Sequence, residues 1–228
     1  ALDVQIVGNP MVPFSVLGKL RRLLIQQLES ADFIPDRRIA SVSESSAITL
    51  RQQLQRLQAA SSPTREETNS PTLHLLCRTL EQVQVAAEQG ISNFYAEFQD
   101  IREYGSAVAL AHSHNAKIFL ATPRIQKPGE QGIFIALAKH QADGVLVRNY
   151  AGLRFFLQRE MSVVADFSLN VANPLTAEYF INQGASRITS SYDLNRDQLL
   201  GLIQATPSRW MECVIHQHMP MFHMEHCV

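Results

Sequence analysis

The chain has 228 residues, 46% hydrophobic and 18% charged, a balance that fits a folded globular protein and excludes a disordered or fibrous one. A formal net charge of −1 leaves no basic footprint, so any contact with RNA has to come from a local patch. No apolar run approaches the roughly 20 residues of a membrane helix, no signal peptide is evident, and three cysteines are too few for a disulfide framework, so a cytoplasmic location with no membrane span is expected.

Residues 1–58 read as a small α+β segment of a preceding domain. "VQIV" is a short strand closed by Gly8-Asn9-Pro10. Ser15 is a candidate cap for a helix in which Leu17, Leu20, Leu24 and Leu28 recur at helical spacing. A second helix places Ile48 or Leu50, Leu54 and Leu57 on one face. "AASSPTREETNSPT" (59–72) has almost no apolar content and two prolines, which predicts a linker and a domain boundary.

From residue 73 the rhythm changes. "LHLLC" (73–77), "NFYAEF" (93–98), "KIFLATP" (117–123), "GVLVRN" (144–149), "SVVADFS" (162–168), "RITSSY" (187–192) and "ECVIHQH" (212–218) are strand-like, with helical stretches between them. Thr79 with Gln82, Asp100 with Glu103, and Asn195 with Gln198 have capping-box spacing, and Asn173-Pro174 offers a cap followed by proline at the first helical position. Strict alternation with nearly continuous apolar strands predicts a parallel sheet covered by helices. Seven such units over 73–228 suit a TIM-like (β/α) barrel that is incomplete at its C-terminus. The competitor is an open doubly wound sheet, but "CRTLEQ" follows the first strand where Gly-x-Gly-x-x-Gly would stand.

In a parallel barrel the active site forms at the C-terminal strand ends. Those ends carry Arg78, Glu97 with Asp100, Arg124, Arg148 with Asn149, Asp166 with Ser168 and Asn170, Tyr192 with Asp193, and His216 with His218. Asp100 and Asn173 can be plain helix caps. Three converging guanidinium groups suit an anionic ligand such as a carboxylate or phosphate, yet they can equally pair with Glu97, Asp166 and Asp193 in a structural network.

The closing stretch "HQHMPMFHMEHCV" (216–228) concentrates four histidines, Glu225 and Cys227. Period-two alternation predicts His216 and His218 on one strand face, where such a pair can hold zinc. The earlier strand ends carry no histidine to complete a site of that kind. Cys227 follows the last strand and is expected at the active-site face, where His218, His223 or His226 could act as its base. An iron–sulfur ligand would need three more cysteines, and only Cys77 is expected on the same face.

"MPMFHMEHCV" resembles the signature around the first cysteine of the collagenase-like peptidase family U32, in which a methionine-proline pair leads through a glutamate to the cysteine. "DFSLNVANPLTAEYFINQGASRITSSYDLN" (166–195), "TLHLLCRTLEQVQVAAEQGISNFYAEFQD" (72–100) and "ATPRIQKPGE" (121–130) are also similar to the family. Residues 10–30 look like the segment that precedes a second barrel-like half in long members.

The resemblance implies a peptidase label with collagen as the reported substrate. It also implies kinship with oxygen-independent hydroxylation factors that act on RNA bases or on the ubiquinone ring and carry a 4Fe-4S cluster on four cysteines. Cys227 matches the first motif cysteine and is the expected metal ligand. The others would follow Val228, so the chain reads as a fragment of a longer protein that cannot complete the cluster alone. On this reading Arg148, Asp166, His218 and Glu225 are candidate catalytic residues. Arg124, Arg148, Asn170, Asn173, Tyr192 and His216 would bind substrate, either RNA or a small aromatic molecule with a carboxylate oxygen donor. Two other readings stay open: a hydrolase, zinc-dependent or cofactor-free, using Cys227 with a histidine, and a non-catalytic barrel half for assembly or RNA binding.

Overall fold

A computed structural model describes residues 13–30, 44–60 and 71–218. The chain divides into two compact units, Ala1–Thr49 and Leu50–Val228. The expected strand "VQIV" and most of the linker lie outside the described residues. The leucine repeat of the first unit forms α1 (Phe14–Ser30). Its start differs from expectation: the Pro13 carbonyl accepts from the Val16 and Leu17 amides, so Ser15 lies inside the first turn rather than capping it. The next repeat forms α2 (Glu44–Ala60), which runs past the unit boundary and buries Leu57.

The second unit contains the expected alternation. Its strands are β1 (Leu75–Cys77), β2 (Asn93–Ala96), β3 (Lys117–Ala121), β4 (Gly144–Val147), β5 (Val163–Ala165), β6 (Arg187–Thr189) and β7 (Met211–Glu212). Between them come α3 (Leu80–Glu88), α4 (Tyr104–Ser113), α5 (Gln131–Lys139), α6 (Tyr150–Leu157), α7 (Pro174–Gln183) and α8 (Arg196–Gln204). All neighbouring strands pair in parallel and in chain order, β1 to β7. A doubly wound sheet would reverse its order at a switch point, and this sheet has none. It curls instead: the Tyr95 hydroxyl of β2 reaches the Glu212 carboxylate of β7 at 2.7 Å. Among the described residues the fold is a half-barrel of seven parallel strands running from β1 to β7.

Strand residues alternate between two buried environments, which explains why the strands read as continuous apolar runs. Phe94, Ile118, Leu120, Val145, Val163 and Ile188 point outward into the helix layer, against Val83, Ala107, Phe134, Phe156 and Phe180. Tyr95, Phe119, Ala121, Leu146 and Val164 fill the lumen. Gly144 opens β4 where no side chain fits: a Cβ there would lie 2.4 Å from the Phe119 ring and 2.5 Å from the Ser162 carbonyl. Gly184 ends α7 at φ +110°, a left-handed position that glycine occupies without steric cost.

The helix starts follow their sequence signals. Thr79 caps α3 by accepting from the Gln82 amide, and Asn195 with Gln198 forms a complete capping box on α8. Asp100 and Glu103 form no box. Asp100 accepts from the Arg102 amide and opens a 3-10 turn ahead of α4.

The last strand is the main correction. "ECVIHQH" was expected to be strand throughout, but β7 ends at Glu212 and the rest is irregular. Among the described residues its one ladder partner is β6, which stops at Thr189 and offers no strand amides to pair with beyond Glu212. His216 and His218 therefore do not share a strand face, although their rings lie 6.1 Å apart. Among the described residues no helix is long and apolar enough to cross a membrane.

Candidate functional site

The C-terminal ends of β1 to β5 deliver charged side chains to one mouth. Arg78, Glu97, Arg148 and Asp166 each follow the last residue of their strand. Arg148 is the hub, with its side chain only 4% exposed. Its Nε donates to Asp166 Oδ2 at 3.0 Å, its Nη1 pairs with Glu97 Oε1, and its backbone amide donates to Thr122 Oγ1 at 2.9 Å. Glu97 Oε2 lies 3.4 Å from Arg78 Nε. Ser168 donates to the Arg148 carbonyl at 3.0 Å and ties the β5 loop to the same centre.

Beside this network lies a cavity of about 960 Å³. Its polar wall includes Arg78, Glu97, Arg124 and Arg148, and its apolar wall includes Phe98, Ile101, Tyr104, Ile125, Ile133 and Leu137. Phe98 and Tyr104 stack at 5.3 Å between ring centres, and the Tyr104 hydroxyl accepts from the Phe98 amide at 3.0 Å, which stiffens that wall.

The charges do not cancel. With the Asp100–Arg102 pair counted as neutral, three arginines (78, 124, 148) face two carboxylates (97, 166), leaving one positive charge. Arg124 has no carboxylate partner among the described residues. Its guanidinium lies 5.2 Å from the centre of the Phe167 ring, which packs on Tyr192 at 4.6 Å. Burial pushes the Glu97 carboxyl up, but Arg148, Arg78 and Arg124 outweigh it and hold Glu97 below its ordinary value. Burial dominates at Asp166 and raises its carboxyl despite Arg148. Asp166 is 4% exposed and does not line the cavity, so it orients Arg148 rather than facing a ligand. Asp100 and Arg102 pair with each other at 2.6 Å.

The other residues singled out from sequence are placed as follows. Asn173 caps α7, its side-chain oxygen accepting from the Thr176 amide at 2.9 Å and hydroxyl at 3.2 Å. Asn149 caps α6 and donates to the Pro123 carbonyl. Asn170 closes a 3-10 turn at φ 54°, with its side chain exposed. Tyr192 is absent from the cavity wall and packs on Phe167. His216 and His218 are exposed and absent from the cavity wall. Glu225 and Cys227 lie outside the described residues.

Cys77 departs from expectation. Its side chain is fully buried on the outward face of β1, because the alternation that sends Leu76 inward sends Cys77 toward Val83 and Ala86. Burial pushes its thiol up to about 11. It is therefore a protonated core residue, not a mouth ligand. Burial also raises the Cys213 thiol, against a hydrogen bond from Ser190. Among the described residues no three His, Cys, Asp or Glu side chains lie close enough to share a metal ion. The described part of the chain does not itself fit a cluster or a zinc ion.

Sequence reasoning passed over Thr122 and Tyr104, and also a second polar group inside the barrel formed by His74, Tyr95, Arg187 and Glu212. The available signal was positional. His74 and Tyr95 fall on the inward set of their strands, as do Arg187 and Glu212.

The solved structure of the U32 peptidase Mk0906 has the same fold, with a TM-score of 0.52 at 17% identity over 67% of this chain and 72% of that one. The YdjI aldolase from Escherichia coli K12 gives a TM-score of 0.45 at 14% identity, over 69% of this chain and 68% of its own. No curated protein matches the sequence significantly. The sequence pattern of Peptidase family U32 matches residues 76–228, the whole strand-and-helix unit from β1 onward, and the chain belongs to that family.

Proposed function

We infer that the mouth cavity binds an anionic ligand, and that the whole protein is an iron–sulfur-dependent, oxygen-independent hydroxylation or RNA-modification factor of its family. The observation that carries the reading is Arg124, a guanidinium with no ion-pair contact among the described residues, on the wall of a cavity of about 960 Å³. A carboxylate is the simplest match to the arginine fork, and an oxygen-independent hydroxylation needs an oxygen donor other than dioxygen, for which a carboxylate is suitable. Arg148 would hold Glu97 and Arg78 in position around that ligand. The apolar wall of Phe98, Ile101 and Tyr104 would accept its uncharged part.

Cys227 is the proposed first cluster ligand, by its match to the family signature. A cluster there would supply electron transfer, and no step at the described residues depends on it. The peptidase alternative gains less from the described chain. Its nucleophile would be Cys227, with His218 or His226 as the base, and Cys227 lies outside the described residues.

The deciding experiment measures iron and acid-labile sulfide per chain in the full-length protein purified without oxygen, beside its Cys227→Ala variant. About four of each, lost in the variant, is the expected result. Iron-free protein in both preparations would overturn the iron–sulfur reading and leave Cys227 as a thiol.

A further inference from the structure

We propose that Glu97 is a specificity-determining residue of the mouth, which selects among anionic ligands those that carry a hydroxyl, so that the ligand class is the hydroxycarboxylates. The inference rests on the reading of the cavity as an anion site and adds a second point of recognition to it. Glu97 follows β2 and lies on the cavity wall in contact with both Arg78 and Arg148. Its Oε1 is taken by Arg148 Nη1. Its Oε2 is buried and accepts no hydrogen bond among the described residues. Arg78 Nε lies 3.4 Å from Oε2, an ion-pair contact without the alignment of a hydrogen bond.

A buried carboxylate oxygen without a donor is costly, and folded proteins leave few of them. The other carboxylate on this wall is Asp100, and both of its oxygens accept from Arg102. Asp166 is not on the wall. Among the described residues, Glu97 Oε2 is thus the carboxylate oxygen of the cavity still able to take a hydrogen bond from a ligand. Burial works against ionisation of Glu97, but Arg148, Arg78 and Arg124 outweigh it, so the group stays a carboxylate and can only accept.

The ligand must therefore bring an O–H or an N–H, and charge decides between them. An ammonium at Oε2 would stand beside the guanidiniums of Arg78 and Arg148, and a zwitterion would leave the surplus positive charge of the mouth in place. A hydroxyl is neutral, and a monoanionic hydroxycarboxylate offsets the surplus with its carboxylate at Arg124. The apolar wall of Phe98, Ile101 and Ile133 suits a hydrocarbon body.

Titration calorimetry on the full-length protein tests this with three ligands of one carbon skeleton: 3-phenylpropanoate, both enantiomers of 2-hydroxy-3-phenylpropanoate, and phenylalanine. One enantiomer of the hydroxy acid should bind about tenfold tighter than 3-phenylpropanoate, as suits a hydrogen bond to a charged acceptor. Phenylalanine should bind more weakly than either. Glu97→Ala should bring the ratio of the two acids to about one, because nothing then accepts from the hydroxyl. Should that variant fail to fold, Glu97→Gln replaces it. Its oxygen must face Arg148, which puts its NH2 where Oε2 stands, and the preference should fall to about threefold or less. Equal affinity of the wild type for the two acids would overturn the proposal and leave the anion site standing, since a donor of the chain itself then satisfies Oε2. A preference that survives both Glu97 variants would overturn it as well, because another group then reads the hydroxyl. Tighter binding of phenylalanine than of the hydroxy acid would overturn the ligand class. If neither acid binds, or if Arg124→Gln leaves the affinity for 3-phenylpropanoate unchanged, the anion site itself falls and the proposal with it.

Discussion

Replacing Arg148 with methionine tests whether the mouth is built as described. Its guanidinium is 4% exposed and contacts two carboxylates, Asp166 with 5% of its side chain exposed and Glu97 with 27%. The two do not suffer equally when it is removed. Glu97 keeps Arg78 at 3.4 Å and some water, whereas Asp166 keeps no adjacent guanidinium, only the Phe167 backbone amide, the Ser168 hydroxyl at 3.5 Å and the more distant Arg124. Breaking a buried pair from one side costs about 3–5 kcal/mol, because a charge is left in low dielectric without compensation. That is a large share of a domain stability of about 5–15 kcal/mol. Urea unfolding should therefore show Arg148→Met destabilised by about 3–5 kcal/mol with an unchanged slope. Adding Asp166→Asn removes the stranded charge and should recover about half of the loss. A cost below about 1 kcal/mol for the single variant, or no recovery in the double one, would refute the charge-network argument. In that case Arg148 would act through packing alone.

Two further outcomes follow from the geometry. Arg124→Gln should weaken binding of succinate or inorganic phosphate by about tenfold, the worth of one charge-assisted hydrogen bond, while leaving the unfolding midpoint nearly unchanged. Titration calorimetry beside thermal melts separates the two effects, and an unchanged affinity would remove Arg124 from the ligand site. His74 predicts a pH dependence. Burial lowers its pKa from 6.5, Glu212 opposing and Arg187 adding to the shift. The unfolded chain therefore takes up the proton first as pH falls, so stability is full above 6.5 and declines below it until the folded state also protonates. Urea unfolding from about pH 8 down to about pH 5 should show this decline, and His74→Phe should flatten it while keeping the stack on Tyr95. A decline of the same size in both proteins would assign it to other groups.

The elements of this fold were legible because each strand is buried on both faces, which leaves runs such as "GVLVRN" with little but apolar residues before the mouth. Strand ends were read too long for the same reason. Arg148 and Asp166 continue the inward alternation of β4 and β5 without being part of the ladder, and sequence does not show where pairing stops. The clearest miss, the long last strand, has this cause in its strongest form. The length of β7 is set by where β6 ends, a property of another segment. Cys77 was misjudged by one step of alternation: the strand carrying Leu76 into the lumen must turn its neighbour toward the helices.

Which charges face one another was harder to read than which residues are charged. Glu97 and Arg148 are 51 positions apart, and Tyr95 and Glu212 are 117 apart, so their meeting depends on strand order and curl. Once that order is known, charge alone separates the two polar groups inside the barrel. In the group around Glu212, one guanidinium, that of Arg187, faces one carboxylate, which also accepts from the Tyr95 hydroxyl. At the mouth, three guanidiniums face two carboxylates beside an open cavity. A neutral group inside a barrel gains nothing from an incoming ion, whereas a group with one surplus charge does. Of the two groups, the one at the mouth is therefore the better match to an anion.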